Sequence, residues 1–269
     1  MAHTLRPLSL GALLDETFII YRRNFLLFAG ISAIPNLALL ALQLAGSSII
    51  GAEPTGFIAG LAGLSSWVAT LFVSSIVTAA TTIGVSDIYL DIPTSMAACF
   101  SRIAPKAVRV SYVSFIVGLI VGLGALLCVI PGIYWAGVYG IAIPAVVLES
   151  ITGNESLARS RALTEGSVGR VIIVYFLTSI FTVAMVLALN AAATALGSTA
   201  SHGTGVITRE VLQQIFAALA EILFGPVTAI ALTLVYYDQR VRKEAFDIEH
   251  MMSLMTTPTN VTASGASAS

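Results

Sequence analysis

Long apolar runs dominate this chain and restrict what it can fold into. Of its 269 residues, 57% are hydrophobic and only 10% are charged, whereas about 25% are charged in soluble domains. A bilayer core about 30 Å thick is crossed by about 20 apolar residues in a helix. Six runs approach that length, at residues 24–44, 57–84, 110–130, 133–148, 171–196 and 215–237. The sequence therefore predicts an all-α, polytopic membrane bundle of about six transmembrane helices.

Basic residues between the runs predict the orientation of the bundle. All Lys and Arg residues except Arg209 fall in segments that such a bundle would place on one side. Because cytoplasmic loops carry the excess of Lys and Arg, both termini are predicted to be cytoplasmic. The acidic residues are concentrated in the same segments. The cytoplasmic face is therefore expected to be dense in charge but almost neutral, which weakens the case for strong capture of anionic lipids.

The third and fourth runs are joined by a turn signal, Cys128-Val-Ile-Pro-Gly132. A short run after such a turn favours a tight transmembrane hairpin, and a re-entrant pair is the alternative. Pro35, Pro144 and Pro226 interrupt other runs. Kinked helices are the default interpretation of such prolines, and broken helices of the kind found at transporter sites are the other.

Three charged segments resemble one another, which indicates an internal repeat. Each begins with Ser followed by an apolar residue and carries an Arg fourteen positions after that Ser, at residues 9–23, 95–109 and 156–170. Fourteen residues make about four helical turns, with Ser at the start and the cation at the end. We expect three interfacial helices, each followed by a transmembrane hairpin, in repeat units of about 8–84, 94–148 and 153–237. Together they form one membrane domain, 1–249, before a disordered tail, 250–269.

Small and hydroxylated residues within the runs have two interpretations. Gly56-x-x-x-Gly60 and Gly118-x-x-x-Gly122 predict close helix contacts. The second run is rich in Ser and Thr, which bundle packing explains adequately, while a polar conduit is the alternative.

Glu221 is the acidic residue within a predicted span. An intramembrane carboxylate is costly and often functional, but Glu221 is near the outer end of its run, so an interfacial position and a buried functional role both stay open. On the charged face, Arg159, Arg161, Asp238 and Arg240 flank neighbouring span ends. We predict that these charged segments contact one another or a shared partner.

The sequence lacks the residues that several classes of function require. A net charge of −1 offers no basic surplus for nucleic acid. His3, His202 and His250 are scattered, so neither a His-based triad nor a zinc site is credible. The sequence predicts no cofactor, no metal and no enzymatic activity.

Several stretches together resemble the membrane domain of the glycerophosphoryl diester phosphodiesterase membrane-domain family of bacterial proteins. The matching pieces are Arg6-Pro-Leu-Ser-Leu-Gly11 with Tyr21-Arg-Arg-Asn-Phe25, Pro131-Gly-Ile-Tyr134, Pro144-Ala-Val-Val-Leu-Glu149, Glu155-Ser-Leu-Ala-Arg-Ser-Arg161 with Leu163-Thr164 and Gly166, and Tyr236-Tyr-Asp-Gln-Arg-Val-Arg-Lys-Glu-Ala-Phe-Asp247. The resemblance implies a multi-pass protein of the bacterial cytoplasmic membrane. The phosphodiesterase barrel of some family members has no counterpart here, so no catalytic residue is carried over.

Two functions follow as expectations. The first is a non-catalytic membrane protein that organises membrane lipids or an unidentified protein partner at the cytoplasmic face. The second is a small transporter or lipid-translocating protein, favoured by Glu221, the span prolines and the Ser/Thr-rich second run. A water-filled cavity that reaches Glu221 would favour transport, and a sealed apolar bundle would favour the organising role.

Overall fold

The structure is a computed structural model, and it describes residues 9–50, 56–197 and 205–244. Within these ranges every regular element is a helix. The α-helices are α1 Leu10–Arg23, α2 Phe25–Ile50, α3 Gly56–Tyr89, α4 Met96–Ile103, α5 Ala107–Leu127, α6 Val129–Tyr139, α7 Ala142–Leu148, α8 Gly153–Thr164, α9 Val168–Gly197 and α10 Gly205–Glu244. A 3₁₀ turn, Ala104–Lys106, joins α4 to α5. The predicted tail, 250–269, lies outside the described residues.

Six stretches of the described chain are long and apolar enough to cross a membrane. They are Phe25–Gly46, Gly56–Tyr89, Met96–Leu127, Val129–Leu148, Val168–Ala192 and Val211–Glu244. Each overlaps one predicted run, so the all-α polytopic bundle expected from the sequence is confirmed. The fourth stretch is two helices, α6 and α7, with a break at Gly140 and Ile141. Pro144 does not cause this break, because it lies in the first turn of α7, where its missing N–H costs nothing.

Three short helices, α1, α4 and α8, each precede a pair of longer helices, and the internal repeat stays a prediction. Ser9 caps α1 by accepting a hydrogen bond of 3.2 Å from the Ala12 N–H, and Ser95 caps α4 through Ala98 at 3.3 Å. The boundaries of the other copies differ from the prediction. The 3₁₀ turn that contains Pro105 ends α4 at Ile103, so Arg109 lies within α5.

The third short helix begins at Gly153, three residues before Ser156 and at the start of the predicted repeat unit 153–237, and Thr152 is its N-cap. Thr152 and Glu155 form a reciprocal capping box there: the Thr152 N–H donates to the Glu155 carboxylate at 2.9 Å, and the Glu155 N–H donates to Thr152 Oγ1 at 3.4 Å. These two bonds lower the pKa of the Glu155 carboxyl. The helix ends before Gly166, whose φ of +75° lets the chain turn. Arg170 consequently lies within α9.

The buried core lies where α3, α7, α8 and α10 end or begin. Its fully buried side chains include Ile83, Val147, Leu163, Leu234 and Tyr236. Elsewhere large apolar side chains point outward, among them Leu26, Phe57, Leu126 and Leu127, each more than three quarters exposed. A bundle with apolar side chains on its outer surface is stable only when lipid covers it.

The glycines that make close helix contacts are not those predicted. A Cβ added at Gly60 or Gly122 would have no described neighbour within 4 Å, and at Gly118 it would make ordinary contact with Leu71. The close approach is instead between α5 and α6. There a Cβ on Gly132 would lie 2.8 Å from the Ala125 backbone nitrogen, and a Cβ on Gly124 would lie 2.7 Å from the Trp135 ring. Both glycines flank Cys128, whose extended backbone makes the tight hairpin.

Candidate functional site

A cavity of about 410 Å³ lies inside the bundle, between α3, α5, α6, α9 and α10. This volume is within the range of about 300 to 1,000 Å³ that is usual for small-molecule sites. About half of the lining residues carry polar side chains. They are Ser74, Ser75, Thr78, Ser114, Tyr139, Tyr175, Ser179, Thr182, Glu221 and Thr228. Three of these residues belong to the Ser/Thr-rich second run, so part of that run faces a cavity rather than a packed helix.

Three hydroxyl groups of the lining use their donors on their own helices. Ser74 donates to the Leu71 carbonyl at 3.1 Å, Ser75 to the Phe72 carbonyl at 2.7 Å, and Thr182 to the Thr178 carbonyl at 3.0 Å. A hydroxyl has one donor and two acceptor lone pairs. These three side chains therefore offer lone pairs to a bound molecule, whereas Ser114 Oγ has no described hydrogen-bond partner and offers both a donor and acceptors.

Glu221 is the only charged residue in the described lining of this cavity. Its side chain folds back along α10 toward Gly225, where a Cβ would lie 2.7 Å from Glu221 Oε1. The carboxylate has no hydrogen-bond or ion-pair partner among the described residues. Glu221 is thus partly buried at the cavity wall, and a functional role for it stays a prediction.

The backbone of α10 beside Glu221 is held by two side chains from other helices. Ser32 Oγ donates to the Glu221 carbonyl at 3.2 Å, and the Tyr21 hydroxyl donates to the Leu223 carbonyl. Pro226 follows within this turn, and a proline inside a helix removes one backbone donor and disturbs the bonds around it. Side-chain donors from α1 and α2 therefore bond to carbonyls next to Pro226, as neighbouring helices do in membrane proteins.

The charged segments meet at Glu149, at the end of α7. Arg159 Nε donates to Glu149 Oε2 at 2.8 Å, and the Tyr236 hydroxyl donates to Glu149 Oε1 at 2.7 Å. Arg240 Nε lies 3.8 Å from the same carboxylate. Glu244 adds a second bridge between the two arginines, 2.5 Å from Arg159 Nη1 and 3.2 Å from Arg240 Nε. The bonds to Glu244 and Glu149 raise the pKa of the Arg159 guanidinium.

Asp238 has different partners. Its carboxylate, fully buried, lies 3.0 Å from Arg170 Nε on α9 and 3.0 Å from Arg242 Nε on its own helix. Arg161 is exposed, and its side chain has no ion-pair partner among the described residues. The predicted contact between the two charged segments is thus made by Arg159 and Arg240 through shared carboxylates, whereas Arg161 takes no part in it.

Two carboxylates were missed by sequence reasoning. Glu149 was treated as a span end, yet it joins α7, α8 and α10. Asp87, which is 2% exposed, accepts two bonds of 2.8 Å from Arg102 Nη1. A signal for both exists in the sequence, since each is an acidic residue that follows a long apolar run directly and precedes a short basic helix.

These features define the class of protein: a multi-pass α-helical membrane protein with a polar cavity inside its bundle and a network of ion pairs at one end. Comparison of the chain with protein-family models, with curated proteins and with solved structures finds no match in any of the three. Among the described residues, no group of three or more His, Cys, Asp or Glu side chains is arranged to hold a metal ion.

Proposed function

We propose that the protein is a small membrane transporter that binds a cationic, donor-rich solute in the cavity beside Glu221. The observation that carries this proposal is the charge of the lining, one carboxylate among hydroxyl groups, with no Lys or Arg in its described part. Such a wall favours a ligand that brings positive charge and hydrogen-bond donors. The transport alternative is therefore preferred to the organising role.

The free-energy cost of placing the Glu221 carboxylate within a membrane span supports a role for it in binding the solute. A carboxylate costs up to about 3 kcal/mol at the centre of a membrane helix, and less toward its ends, unless it is paired or hydrated. Within the described residues the protein supplies no cation to Glu221, so a partner would come from the solute or from water in the cavity. The carbonyl bonds from Ser32 and Tyr21 hold the adjacent backbone in place, which keeps the carboxylate at the cavity wall.

Uptake into proteoliposomes tests the proposal. The full chain is reconstituted, and accumulation of radiolabelled ethanolamine, choline and putrescine is compared with that of acetate. We expect uptake of at least one cation and none of acetate.

Glu221→Gln is expected to reduce the uptake rate about thirtyfold or more, because a charge-assisted bond contributes about 2 kcal/mol or more. Glu165→Gln is the matched control, since Glu165 is exposed and outside the cavity, and should leave uptake unchanged. No uptake of any of the three cations, or equal uptake by both variants, would contradict the proposal.

On the basis of the sequence, we propose that the protein resides in the bacterial cytoplasmic membrane with both termini in the cytoplasm. The distribution of Lys and Arg supports this orientation. Reporter fusions near Ala98, Ser160 and the C-terminus should give cytoplasmic signals, and fusions near Glu53 and His202, which lie outside the described residues, should report the other side. A cytoplasmic signal at His202 would overturn the six-span topology.

We also propose membership in the membrane-domain family named above, without catalysis. Three of the quoted pieces meet in space, because the Tyr236 hydroxyl and Arg159 Nε both donate to the Glu149 carboxylate. A shared motif set that forms one contact network supports common ancestry. The cavity lining described contains neither His nor Cys and a single carboxylate. Hydrolysis requires several converging groups, so this set favours binding and passage over chemistry.

A further inference from the structure

A second cavity, of about 340 Å³, lies at the charged end of the bundle, between α3, α7, α10 and the 3₁₀ turn. Its described lining carries three basic side chains, Arg102, Lys106 and Arg240, and no acidic one. Ser86 and Tyr237 add two hydroxyls, which bond to each other at 2.8 Å. The cavity shares no lining residue with the cavity beside Glu221. Its chemistry is opposite, because its wall offers cations where the other offers a carboxylate.

Lys106 is the least neutralised cation of this wall. Its ammonium donates to the Val147 carbonyl and to Ser150 Oγ, both at 2.8 Å. These partners are neutral, and no carboxylate within the described residues lies within ion-pair distance of Lys106. The nearby charges of Arg102 and Arg109 repel its ammonium. A bound anion would relieve this repulsion.

Arg102 also keeps bonding capacity on its accessible side. Both of its bonds to Asp87 come from Nη1. The side chain of Arg102 is 52% exposed, whereas that of Asp87 is 4% exposed. The buried carboxylate thus anchors one corner of the guanidinium, and the rest of this planar donor group is at the cavity. Asp87 acts on a ligand only through Arg102 and is a positioning residue.

We propose that this cavity binds a phosphate group, either of a lipid headgroup or of a soluble phosphate compound. Three cations from α4, the 3₁₀ turn and α10 converge with two hydroxyls on one space, and a tetrahedral oxyanion offers enough acceptors to engage several of them at once. Arg and Lys are both established phosphate ligands. The inference does not depend on the transport proposal, since it concerns a different cavity.

Binding of inorganic phosphate to the purified full chain in detergent tests the inference. Equilibrium binding and the shift in thermal unfolding temperature are measured against chloride at equal ionic strength. Lys106→Gln should weaken phosphate binding about tenfold or more, the effect of losing a charged bond. Arg161→Gln is the matched control. Arg161 is exposed, does not line the cavity and has no ion-pair partner among the described residues. Its loss should change binding less than about twofold.

A second variant guards against a folding defect in Lys106→Gln. Leu90 lines the cavity and is 38% exposed, so Leu90→Glu adds a carboxylate to the wall without removing any ion pair. It should also weaken phosphate binding about tenfold. In parallel, thermal unfolding is measured in nanodiscs of phosphatidylcholine with and without phosphatidic acid, which distinguishes the two sources of the phosphate group. If phosphatidic acid stabilises the protein and soluble glycerol phosphate does not displace it, the ligand is a lipid headgroup. If soluble glycerol phosphate displaces phosphatidic acid, the ligand is a soluble phosphate compound. Absence of binding in both arms, or equal binding by Lys106→Gln and Arg161→Gln, would overturn the inference.

Discussion

Replacing Gly132 by valine is expected to prevent the α5–α6 hairpin from closing. The two helices are connected by a single extended residue, Cys128, so the last turn of α5 and the first turn of α6 are forced together. A Cβ on Gly132 would lie 2.8 Å from the Ala125 nitrogen and 2.9 Å from its Cα, both of which are backbone atoms that a rotamer change cannot move. Overpacking of this kind costs about 3 kcal/mol or more. The expected result is loss of the folded monomer after solubilisation.

The measurement compares thermal unfolding and size-exclusion behaviour of Gly132→Val with those of Gly122→Val. Gly122 is on α5, is exposed, and has open space where its Cβ would be. The same substitution there should change the free energy of unfolding by no more than about 0.5 kcal/mol. If both variants unfold at the wild-type temperature, the close approach at Gly132 is wrong.

The contrast between these two glycines shows what a sequence pattern can convey. The apolar runs predict the six spans well, because run length alone decides whether a helix can cross a bilayer. The Gly-x-x-x-Gly spacing says only that one helix face is smooth, and it cannot say whether another helix lies opposite. Gly118 and Gly122 belong to such a face, yet the close contact is at Gly124 and Gly132, where a short turn brings two helices together.

The candidate site was predicted less completely than the fold, for a related reason. Glu221 stands out as a charge within an apolar run, so it could be found from the sequence. The cavity around it is formed by hydroxyl side chains from α3, α5, α9 and α10, and such residues are common in packed spans as well. Only the relative positions of the helices distinguish a hydroxyl that faces a cavity from one that faces a neighbour.

The two cavities differ in how their charges are balanced. Asp87, Glu149 and Asp238 each have an arginine partner, whereas the Glu221 carboxylate has none among the described residues. Glu149 and Asp238 line neither cavity, whereas Lys106 and Glu221 line one each and have no ion-pair partner among the described residues. Substitutions at Glu149 and Asp238 are therefore expected to affect stability, and substitutions at Lys106 and Glu221 to affect ligand binding.

Loss of the negative charge at Glu149 is expected to have the largest effect on stability among the paired residues. The carboxylate is 16% exposed and serves Arg159, Arg240 and Tyr236 together. Glu149→Gln keeps the shape of the side chain but leaves two arginines to share Glu244. Breaking a mostly buried ion pair by removing one partner costs about 3 kcal/mol. We expect a reduction of that size in the free energy of unfolding, measured by titration with sodium dodecyl sulfate in mixed micelles.

The double variant with Arg159→Gln shows whether the effect acts through this pair. Residues in one ion-pair network couple by about 0.5 to 3 kcal/mol, so Glu149→Gln should cost less when Arg159 is already glutamine. Arg161→Gln is the matched control on the same helix. Arg161 is exposed, without an ion-pair partner among the described residues, and its substitution should add independently to that at Glu149. Equal and additive effects of Arg159→Gln and Arg161→Gln would mean that Glu149 does not join α7, α8 and α10 through Arg159.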